Sequence, residues 1–448
     1  MHTTRLLPPL IVVTGALALL SGARGFELQG GMLDLTQRDF RIFNNFNEVE
    51  ANDNQVPDPD FPGALGAELA IWKGVAEWGS QAHGTGGTDP LQSDGIGSGF
   101  ANFDAFYVGE HTEPGGPNQN VISMISGGSS TLAFVDIPIG DGWRMRFRES
   151  PYTWHDGPGP VSTGSEPFDL QGVASHEYGH ALGLAHSSVV GTTMFAAVPA
   201  VDGGISLRSI EDDDRAGVQF IYGALSPTKP RVDTYELSAG QVTLLGENFD
   251  PLANEVWFSQ ALAGGDGTPV KVTGAPSLAG GTILTVAIPA AAGPGDIAVK
   301  LPGASPDQLS NAFPFDPERE PAFQAPLYYG QGTALPGGSE PEVLLLNVPS
   351  LTAGTLDLSM ASGPITGLGV VFSGAARTSL PGAFGTLLVA GPLRRDAVFA
   401  YSFTQASVSV PIPPGAQLGE SRYYQIYALD SVSSGTGLSR GLRVVWAP

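Results

Sequence analysis

The sequence has 448 residues, of which 61 are glycine and 37 are proline. Hydrophobic residues make up 42% and charged residues only 15%, which excludes a disordered chain and favours a turn-rich β-protein. The net charge of −23 argues against binding to nucleic-acid phosphates or to anionic membrane surfaces, and the absence of cysteine excludes disulfide bonds, thiolate zinc sites and a cysteine nucleophile.

The N-terminus has the pattern of a secretory signal peptide. Arg5 supplies the positive charge, an apolar stretch runs from Leu6 to Leu20, and small residues at Ala23 and Gly25 occupy the −3 and −1 places. We therefore expect cleavage near Gly25 and a secreted protein, either extracellular or kept in the periplasm or at the cell surface. An uncleaved membrane anchor is the alternative, but the apolar stretch is short for a span. No later segment is long and apolar enough to cross a bilayer, so no membrane span is expected after cleavage.

Composition divides the rest of the chain into three regions. The first holds every histidine outside the signal peptide and four of the six tryptophans, whereas the other two contain no histidine. Prolines mark both junctions. The predicted organisation is a signal peptide at 1–25, a domain that carries the chemistry at 26–225, a β-sandwich at 226–316, and a β-domain of unknown role at 317–448.

The first region contains the pattern HExxHxxGxxH. On a helix, His176 and His180 are i and i+4, so they share one face and can chelate one ion, while Glu177 can reach a water bound to that ion. Gly183 can adopt a left-handed conformation that ends the helix, after which the chain turns back and offers His186. Three imidazoles leave the fourth position of a tetrahedral Zn²⁺ open, as a catalytic zinc requires. Since histidine is scarce here, a chance match of all five positions is a poor explanation.

This pattern resembles the metzincin clan of zinc peptidases, and the sequence around it resembles the matrixin branch. Met194 lies eight residues after His186, where the Met-turn of the clan passes beneath the metal. The stretch from Asp213 and Asp214 to Gly223 is similar to the closing matrixin helix. The resemblance implies that this pair of acids supports the Met-turn and the N-terminus of the chain.

Upstream segments extend the resemblance to about residues 35–223. Ala70–Trp78 has helical spacing and resembles the first helix of the family, and Trp143–Trp154 resembles a strand of its sheet. Before that strand, "GGSSTLAFVDIP" at Gly127–Pro138 resembles the edge strand that pairs with an extended substrate, and Phe195–Pro199 would form the wall of a side-chain pocket. The residues expected to bind substrate are Leu132, Ala133, Phe134 and Val135.

The expected fold is therefore multi-domain. The resemblance implies an α+β catalytic domain with a twisted, mostly parallel sheet, an antiparallel edge strand and helices, followed by two all-β sandwich domains. Asp169 is well placed to cap the helix that carries the first two histidines.

The sequence departs from the family in several places. Ala196 stands two residues after Met194, so the additional tyrosine ligand of astacin- and serralysin-like members is absent, as it is in matrixins. Without cysteine there can be no cysteine switch, and residues 26–35 are too few for a prodomain, so any latency must arise differently. The family's structural zinc and calcium loop is not clearly matched.

Other polar residues offer weaker metal sites. His83, His111 and His155 lie in loops rich in glycine or acidic residues, and a loop role is a simpler interpretation than a second zinc site through His155 or His111. A Ca²⁺ site is compatible with the acidic loops, because Ca²⁺ prefers oxygen ligands, but a solvated acidic loop is the simpler interpretation. The residues concerned are Asp53, Asp58, Asp60, Asp89 and Asp94.

The last two regions alternate in the manner of β-strands. Candidates in the second region are 242–246, 255–258, 270–272, 284–289 and 296–300. Their order resembles an IPT/TIG domain, an immunoglobulin-like module, through the segments "VTLLGENF", "LTVAIP" and "SNAFPF". Candidates in the third region are 343–346, 369–372 and 423–429, and the ending "GLSRGLRVVW" resembles terminal β-domains of large secreted bacterial proteins.

The sequence predicts a secreted zinc-dependent endopeptidase that acts on protein or peptide substrates, with Glu177 as the general base for a metal-activated water. One alternative is a secreted or surface-attached binding or adhesion protein with a vestigial metzincin domain, whose β-domains contact a cell-surface or matrix polymer. Another is a zinc-dependent hydrolase of non-peptide amides. The complete set of ligands and the retained glutamate favour the peptidase.

Overall fold

The computed structural model describes residues 25–446 apart from short gaps. The gaps are 85–90, 93–94, 129, 137–141, 161–166, 200–201, 264–267, 322–326, 330–331, 337–339, 348, 363–365, 383–384, 403–405 and 418–420. The predicted signal peptide, apart from Gly25, lies outside the described residues. Within the described ranges no helix combines the length and the apolar character that crossing a membrane requires. Most of the regular structure in these ranges is β-strand.

The region up to residue 225 holds all three α-helices found in the described ranges. They are α1 (Gly66–Ala76), α2 (Leu170–Ala181) and α3 (Asp212–Tyr222). The strands of this region are β1 (Glu27–Leu28), β2 (Asp39–Phe43), β3 (Phe106–Glu110), β4 (Val121–Ile125), β5 (Ala133–Asp136), β6 (Arg144–Arg148), β7 (Trp154–His155), β8 (Phe168–Asp169) and β9 (Leu184–Ala185). Short 3₁₀ helices lie at Val49–Ala51 and Ile205–Leu207.

Five of these strands form one sheet in the order β3-β2-β4-β6-β5. The first four run parallel, and β5 is antiparallel to β6, with Ala133 opposite Phe147 and Val135 opposite Met145. This is the expected combination of a mostly parallel sheet with an antiparallel edge strand. Because β5 ends the strand order, one side of it is an edge.

Helices α1 and α2 pack directly on each other at a glycine. A Cβ atom on Gly74 would lie only 2.4 Å from the backbone oxygen of Gln171, so a larger residue would push the helices apart. Just beyond α1, the indole nitrogen of Trp78 donates to the carbonyl of Ser175, 2.9 Å away. The helix begins four residues earlier than the predicted 70–78 and ends before Trp78. It ends there because the amide of Gly79 bonds the carbonyl only three residues back and tightens the last turn.

A buried carboxyl in α1 makes stability depend on pH. Glu68 is 5% exposed and accepts a hydrogen bond from the Tyr107 hydroxyl, and burial raises the pKa of Glu68 to about 8. The pKa of Glu68 in the folded protein lies above its pKa in the unfolded chain. The protonated side chain therefore stabilises the fold fully below about pH 4.5, and this stabilisation is lost as the pH rises through about 8. In the wild type, we expect the free energy of unfolding to fall between pH 5 and pH 8. Glu68→Gln mimics the protonated acid, so the slope of this fall should be smaller in the variant by up to about 1.4 kcal/mol per pH unit.

Urea unfolding of the metal-free protein at several pH values measures this slope. The exposed Glu50, changed to glutamine, is the matched control and should leave the wild-type slope intact. A Glu68→Gln protein with the same pH dependence as the wild type would contradict the prediction.

The second region forms two four-stranded antiparallel sheets. Its strands are β10 (Arg231–Ser238), β11 (Gln241–Glu247), β12 (Asn254–Gln260), β13 (Val270–Ala275), β14 (Ser277–Leu278), β15 (Ile283–Ala287), β16 (Ala292–Lys300) and β17 (Phe313–Phe315). A 3₁₀ helix lies at Pro306–Gln308. The sheet orders are β10-β11-β15-β14 and β13-β12-β16-β17, and an apolar core that includes Leu244, Phe258 and Ile297 draws residues from both. Such a pair of sheets is a β-sandwich.

The sandwich packs against the first region at β3, the edge of the sheet opposite β5. Phe106 and Val108 of β3 share a buried apolar cluster with Trp257 of β12. A buried ion pair joins Lys229 to Asp104 at 3.0 Å across the same boundary, and Nε2 of His83 is hydrogen-bonded to Asp296 at 2.9 Å. The two regions therefore share a core at the edge of the sheet opposite β5.

The third region is entirely β in its described residues. Its strands are β18 (Leu327–Tyr329), β19 (Glu342–Leu345), β20 (Thr355–Ala361), β21 (Thr366–Gly374), β22 (Ala376–Gly382), β23 (Gly385–Ala390), β24 (Arg394–Ser402), β25 (Ala406–Pro411), β26 (Ser421–Asp430), β27 (Thr436–Leu438) and β28 (Gly441–Val445). One sheet has the order β18-β28-β26-β21-β24 with β27 beside β26, another the order β19-β20-β25, and β22 pairs with β23. The Tyr423 hydroxyl donates to Glu236 of the sandwich at 2.6 Å and links the two regions.

Candidate metal centre

The helix α2 is fixed at its start by a buried ionic cap. Asp169 accepts a hydrogen bond from the amide of Gly172 at 2.7 Å, as predicted for an N-cap. Arg208 donates to both oxygens of the same carboxylate, at 3.0 and 2.5 Å, and both side chains are almost fully buried. At the other end, Gly183 has φ +103° and takes the chain out of the helix. Together these contacts set the direction of α2 and the point where the chain turns back.

Three histidines converge at the end of α2. One ring nitrogen from each of His176, His180 and His186 lies within 4.8 Å of the others, and the ring centroids are 4.8 to 5.4 Å apart. In the part of the chain that the structure describes, this is the one group of at least three histidine, aspartate or glutamate side chains close enough to hold a metal ion.

Backbone carbonyls fix the tautomer of the two helical histidines. The Nδ1 atom of His176 lies 2.5 Å from the carbonyl of Thr193, and that of His180 lies 2.8 Å from the carbonyl of Leu184. Because a carbonyl can only accept, each Nδ1 carries the proton and each Nε2 keeps its lone pair. Burial lowers the pKa of His176 to about 3 and also lowers the pKa of His180, so both rings are neutral, which is the form that binds metal.

Glu177 lies beside this cluster with an unsatisfied oxygen. Its side chain is 6% exposed, and Oε2 has no hydrogen-bond partner among the described residues. Burial raises the pKa of Glu177 to about 8 in the protein without metal. A cation held by the histidines would lower that pKa, because an opposite charge favours the ionised carboxylate.

The turn around Met194 packs against α2 and is hydrogen-bonded to α3. Met194 is 1% exposed, and a Cβ atom on Gly179 of α2 would lie 2.3 Å from its sulfur, so the two are in direct contact. Asp214 of α3 accepts from the amides of Met194 and Thr193 at 3.1 and 2.8 Å. The structure thus connects the methionine turn to both α2 and α3 through the residues that the resemblance singled out.

The start of the described chain runs along the segment that carries His186. Asp213 accepts from the amide of Phe26 at 3.0 Å and from the Ser187 hydroxyl at 2.7 Å. Strand β1 pairs antiparallel with β9, and the amide of Gln29 donates to the carbonyl of Gly183 at 2.8 Å. The loop between α2 and the third histidine is therefore held by residues about 150 positions earlier in the chain.

The three histidines open into a cleft of about 560 Å³ beside β5. The residues predicted to bind substrate lie on one side of the cleft, and the segment after Met194 lies on another. The lining residues are Gln29, Ser130, Thr131, Leu132, Ala133, Phe134, Val135, Val173, His176, Glu177, His180, Ala185, His186, Phe195, Ala196, Ala197 and Val198. An edge strand, the histidine cluster and the segment after Met194 therefore line one cleft.

The other candidate ligands do not belong to the cluster of three histidines. Nδ1 of His111 lies 2.7 Å from the carbonyl oxygen and 3.0 Å from the amide nitrogen of Glu113, and Nε2 of His155 lies 3.1 Å from the carbonyl of Gly159. Asp58 forms an ion pair with Lys73 at 2.7 Å. Of the acids considered for Ca²⁺, Asp89 and Asp94 lie outside the described residues. Within the described ranges, none of these side chains joins a second group of three possible ligands.

Sequence reasoning missed two residues of this centre, Arg208 and Gln29. Arg208 lies 39 positions from Asp169, and Gln29 lies 151 positions from His180, which it contacts. No short motif contains either pair, so spacing alone could not have found them. The unusual feature of Arg208, a nearly fully buried guanidinium, becomes visible only in three dimensions.

Comparison with known proteins gives a consistent picture for part of the chain. The matrixin family profile matches residues 102–223. A metalloendoproteinase 5-MMP of Arabidopsis thaliana is 35% identical over 122 residues, which are 26% of this chain and 30% of that protein. An interstitial collagenase of Bos taurus is 25% identical over 194 residues, or 42% and 34% of the two chains, and a matrix metalloproteinase-27 of Tupaia belangeri is 44% identical over 66 residues, or 14% and 12%.

The matches span about a third of the length of the first two relatives. Among solved structures, a DUF3823 family protein from Bacteroides ovatus aligns with 47% of this chain and 96% of its own, at 10% identity and a TM-score of 0.15, a likeness too low to bear on the fold. Residues 102–223, which include the three histidines and Glu177, are therefore a matrixin domain.

Proposed function

We propose that the chain is a secreted zinc-dependent endopeptidase. The observation that carries the proposal is the convergence of His176, His180 and His186 with the buried Glu177 in one cleft, beside the edge strand β5. Relatives that are named as a metalloendoproteinase and as a matrix metalloproteinase support the same reaction class.

The three histidines would hold the metal. Imidazole nitrogens are donors that zinc prefers, and three protein ligands leave one position for a reactant. The unsatisfied oxygen of Glu177 fits this reading, because a buried carboxylate without a partner is stabilised by a nearby cation. Zinc, when bound, supplies Lewis acidity, which makes water a stronger acid and a peptide carbonyl a better electrophile.

The chain's own residues divide the remaining work. Glu177 takes the proton of the attacking water and passes it to the leaving amine. Strand β5 binds the substrate backbone as an added strand, so that main-chain hydrogen bonds position the scissile bond whatever its side chains. The apolar wall at Phe195–Val198 receives a substrate side chain. Ala196 offers no hydroxyl two residues after Met194, so no side chain at that position assists the developing oxyanion.

Asp213 would stabilise the N-terminus that secretion creates. If cleavage follows Gly25, the amide of Phe26 that now donates to Asp213 becomes an ammonium group, and the hydrogen bond becomes an ion pair. The pairing would hold β1 against the segment that carries His186.

Hydrolysis of casein or gelatin with and without a zinc chelator tests the proposed function. We expect cleavage by the purified protein, loss of cleavage on chelation, and recovery when zinc is added back. Cleavage that survives complete removal of zinc would contradict the metal's role. A protein that binds one zinc per chain and still cleaves no peptide bond would contradict the peptidase assignment and would favour a vestigial site.

A further inference from the structure

Gln29 is the single cleft-lining residue that comes from the N-terminal segment, among the residues that the structure describes. It follows β1, and its side chain lines the cleft together with His180, Ala185 and His186. Its own amide donates to the carbonyl of Gly183 at 2.8 Å. The backbone at this position is thus fixed relative to the metal site, although the side chain is exposed to the cleft.

The carboxamide of Gln29 contacts a metal ligand on the side away from the metal. Its amide nitrogen lies 3.2 Å from Nδ1 of His180, and the same Nδ1 lies 2.8 Å from the carbonyl of Leu184. Since that carbonyl can only accept, Nδ1 carries a proton. An amide nitrogen in this position would therefore bring two donors together, which is unfavourable.

A half turn of the amide removes this conflict. The oxygen and nitrogen of a glutamine amide have nearly the same shape, so their assignment follows from the hydrogen-bond network. With Oε1 toward His180, the ring donates to both Leu184 and Gln29, and the NH₂ group of Gln29 is left on the cleft side. A second acceptor on the outer nitrogen of a metal-binding histidine fixes its tautomer and increases its basicity.

We propose that the Gln29 carboxamide bridges the metal centre and the bound peptide. Its oxygen accepts a hydrogen bond from His180 Nδ1–H, which makes Gln29 a positioning residue for this ligand, and its NH₂ group donates to a backbone carbonyl of the peptide. The second contact rests on the proposed function, whereas the first needs only that the three histidines bind zinc.

Two substitutions separate these roles. Gln29→Glu keeps an oxygen acceptor for His180 but loses the donor to the peptide, and Gln29→Leu keeps the approximate size and loses both. We expect Gln29→Leu to weaken zinc binding by about 3- to 10-fold and Gln29→Glu to keep or increase it, because one hydrogen bond at an exposed site has a modest effect. Both variants should raise KM for a peptide substrate by about 3- to 10-fold with a smaller change in kcat.

Zinc affinity is measured on the purified full chain by competition with a chromophoric chelator, and the visible spectrum of the Co²⁺-substituted protein reports the ligand geometry independently of activity. Glu27→Gln, on the exposed part of the same strand, is the matched control and should match the wild type. If Gln29→Leu bound zinc as tightly as the wild type, the positioning role would be overturned. The same would follow if Gln29→Leu and Gln29→Glu lost zinc affinity to the same extent. Unchanged KM in both variants would overturn the peptide contact.

The wild type distinguishes this inference from the proposed function. A wild-type chain that binds no zinc, or that binds zinc without cleaving peptides, contradicts the proposed function itself. A wild-type chain that does both, accompanied by variants indistinguishable from it, contradicts only the role of Gln29.

Discussion

Replacing Glu177 by glutamine is expected to abolish peptide hydrolysis while one zinc ion stays bound to each chain. The amide has the shape of the carboxylate but cannot accept a proton from water, so the step that requires a general base is lost. We expect kcat/KM to fall by about 10³-fold or more, which corresponds to about 4 kcal/mol of transition-state stabilisation. Because Glu177 is not one of the three converging nitrogen ligands, zinc content should be unaffected.

Measuring zinc content and hydrolysis on the same preparation tests this expectation. The exposed Glu113, changed to glutamine, serves as a control for loss of a negative charge far from the cleft and should retain wild-type activity. Activity within a few-fold of wild type in Glu177→Gln would assign the base to a different residue. Loss of zinc from this variant would instead indicate that the carboxylate holds the metal.

Changing His186 to alanine is expected to remove zinc and activity together. His186 lies beyond the end of α2, and without it only the two helical histidines remain to chelate the ion. The loss of zinc affinity should exceed the 10- to 100-fold that follows removal of a ligand's hydrogen-bond partner. Equilibrium dialysis against a zinc buffer measures this loss directly.

His111 provides a matched control for this substitution. It lies in a loop, is hydrogen-bonded to the amide of Glu113, and belongs to no ligand group among the described residues. His111→Ala should therefore bind zinc as the wild type does. If instead His186→Ala kept its zinc and His111→Ala lost it, the metal would lie at a different place from the one described here.

The local parts of the centre could be predicted because their chemistry is encoded within a few turns of chain. The i and i+4 spacing of His176 and His180 requires a helix if both are to face one ion, and the structure has that helix at Leu170–Ala181. Asp169 caps it, and Gly183 leaves it with a positive φ, as residues of these types do elsewhere. Similarly, the segments 242–246 and 255–258, which were predicted as strands, lie within β11 and β12.

The long-range parts could not be predicted because no spacing rule connects them. The pairing of β1 with β9 joins residues about 157 positions apart. Each of these strands has only two residues, which is too short to show an alternation of apolar and polar side chains. The shared core of Phe106, Val108 and Trp257 was also missed, since each residue reads as an ordinary buried strand position in its own region. The start of α1 at Gly66 was placed too late because Leu65, at the N-cap position, has no capping side chain, and the oxygen that accepts from the amide of Ala67 belongs to the distant Asn52.

The most direct test of the account is X-ray absorption at the zinc edge of the purified, zinc-loaded chain. Convergence of the three histidines predicts one zinc per chain, coordinated by three imidazole nitrogens and one oxygen. A chain that binds no zinc, or a zinc that shows fewer than three imidazoles, would contradict the metal centre on which the proposed peptidase depends.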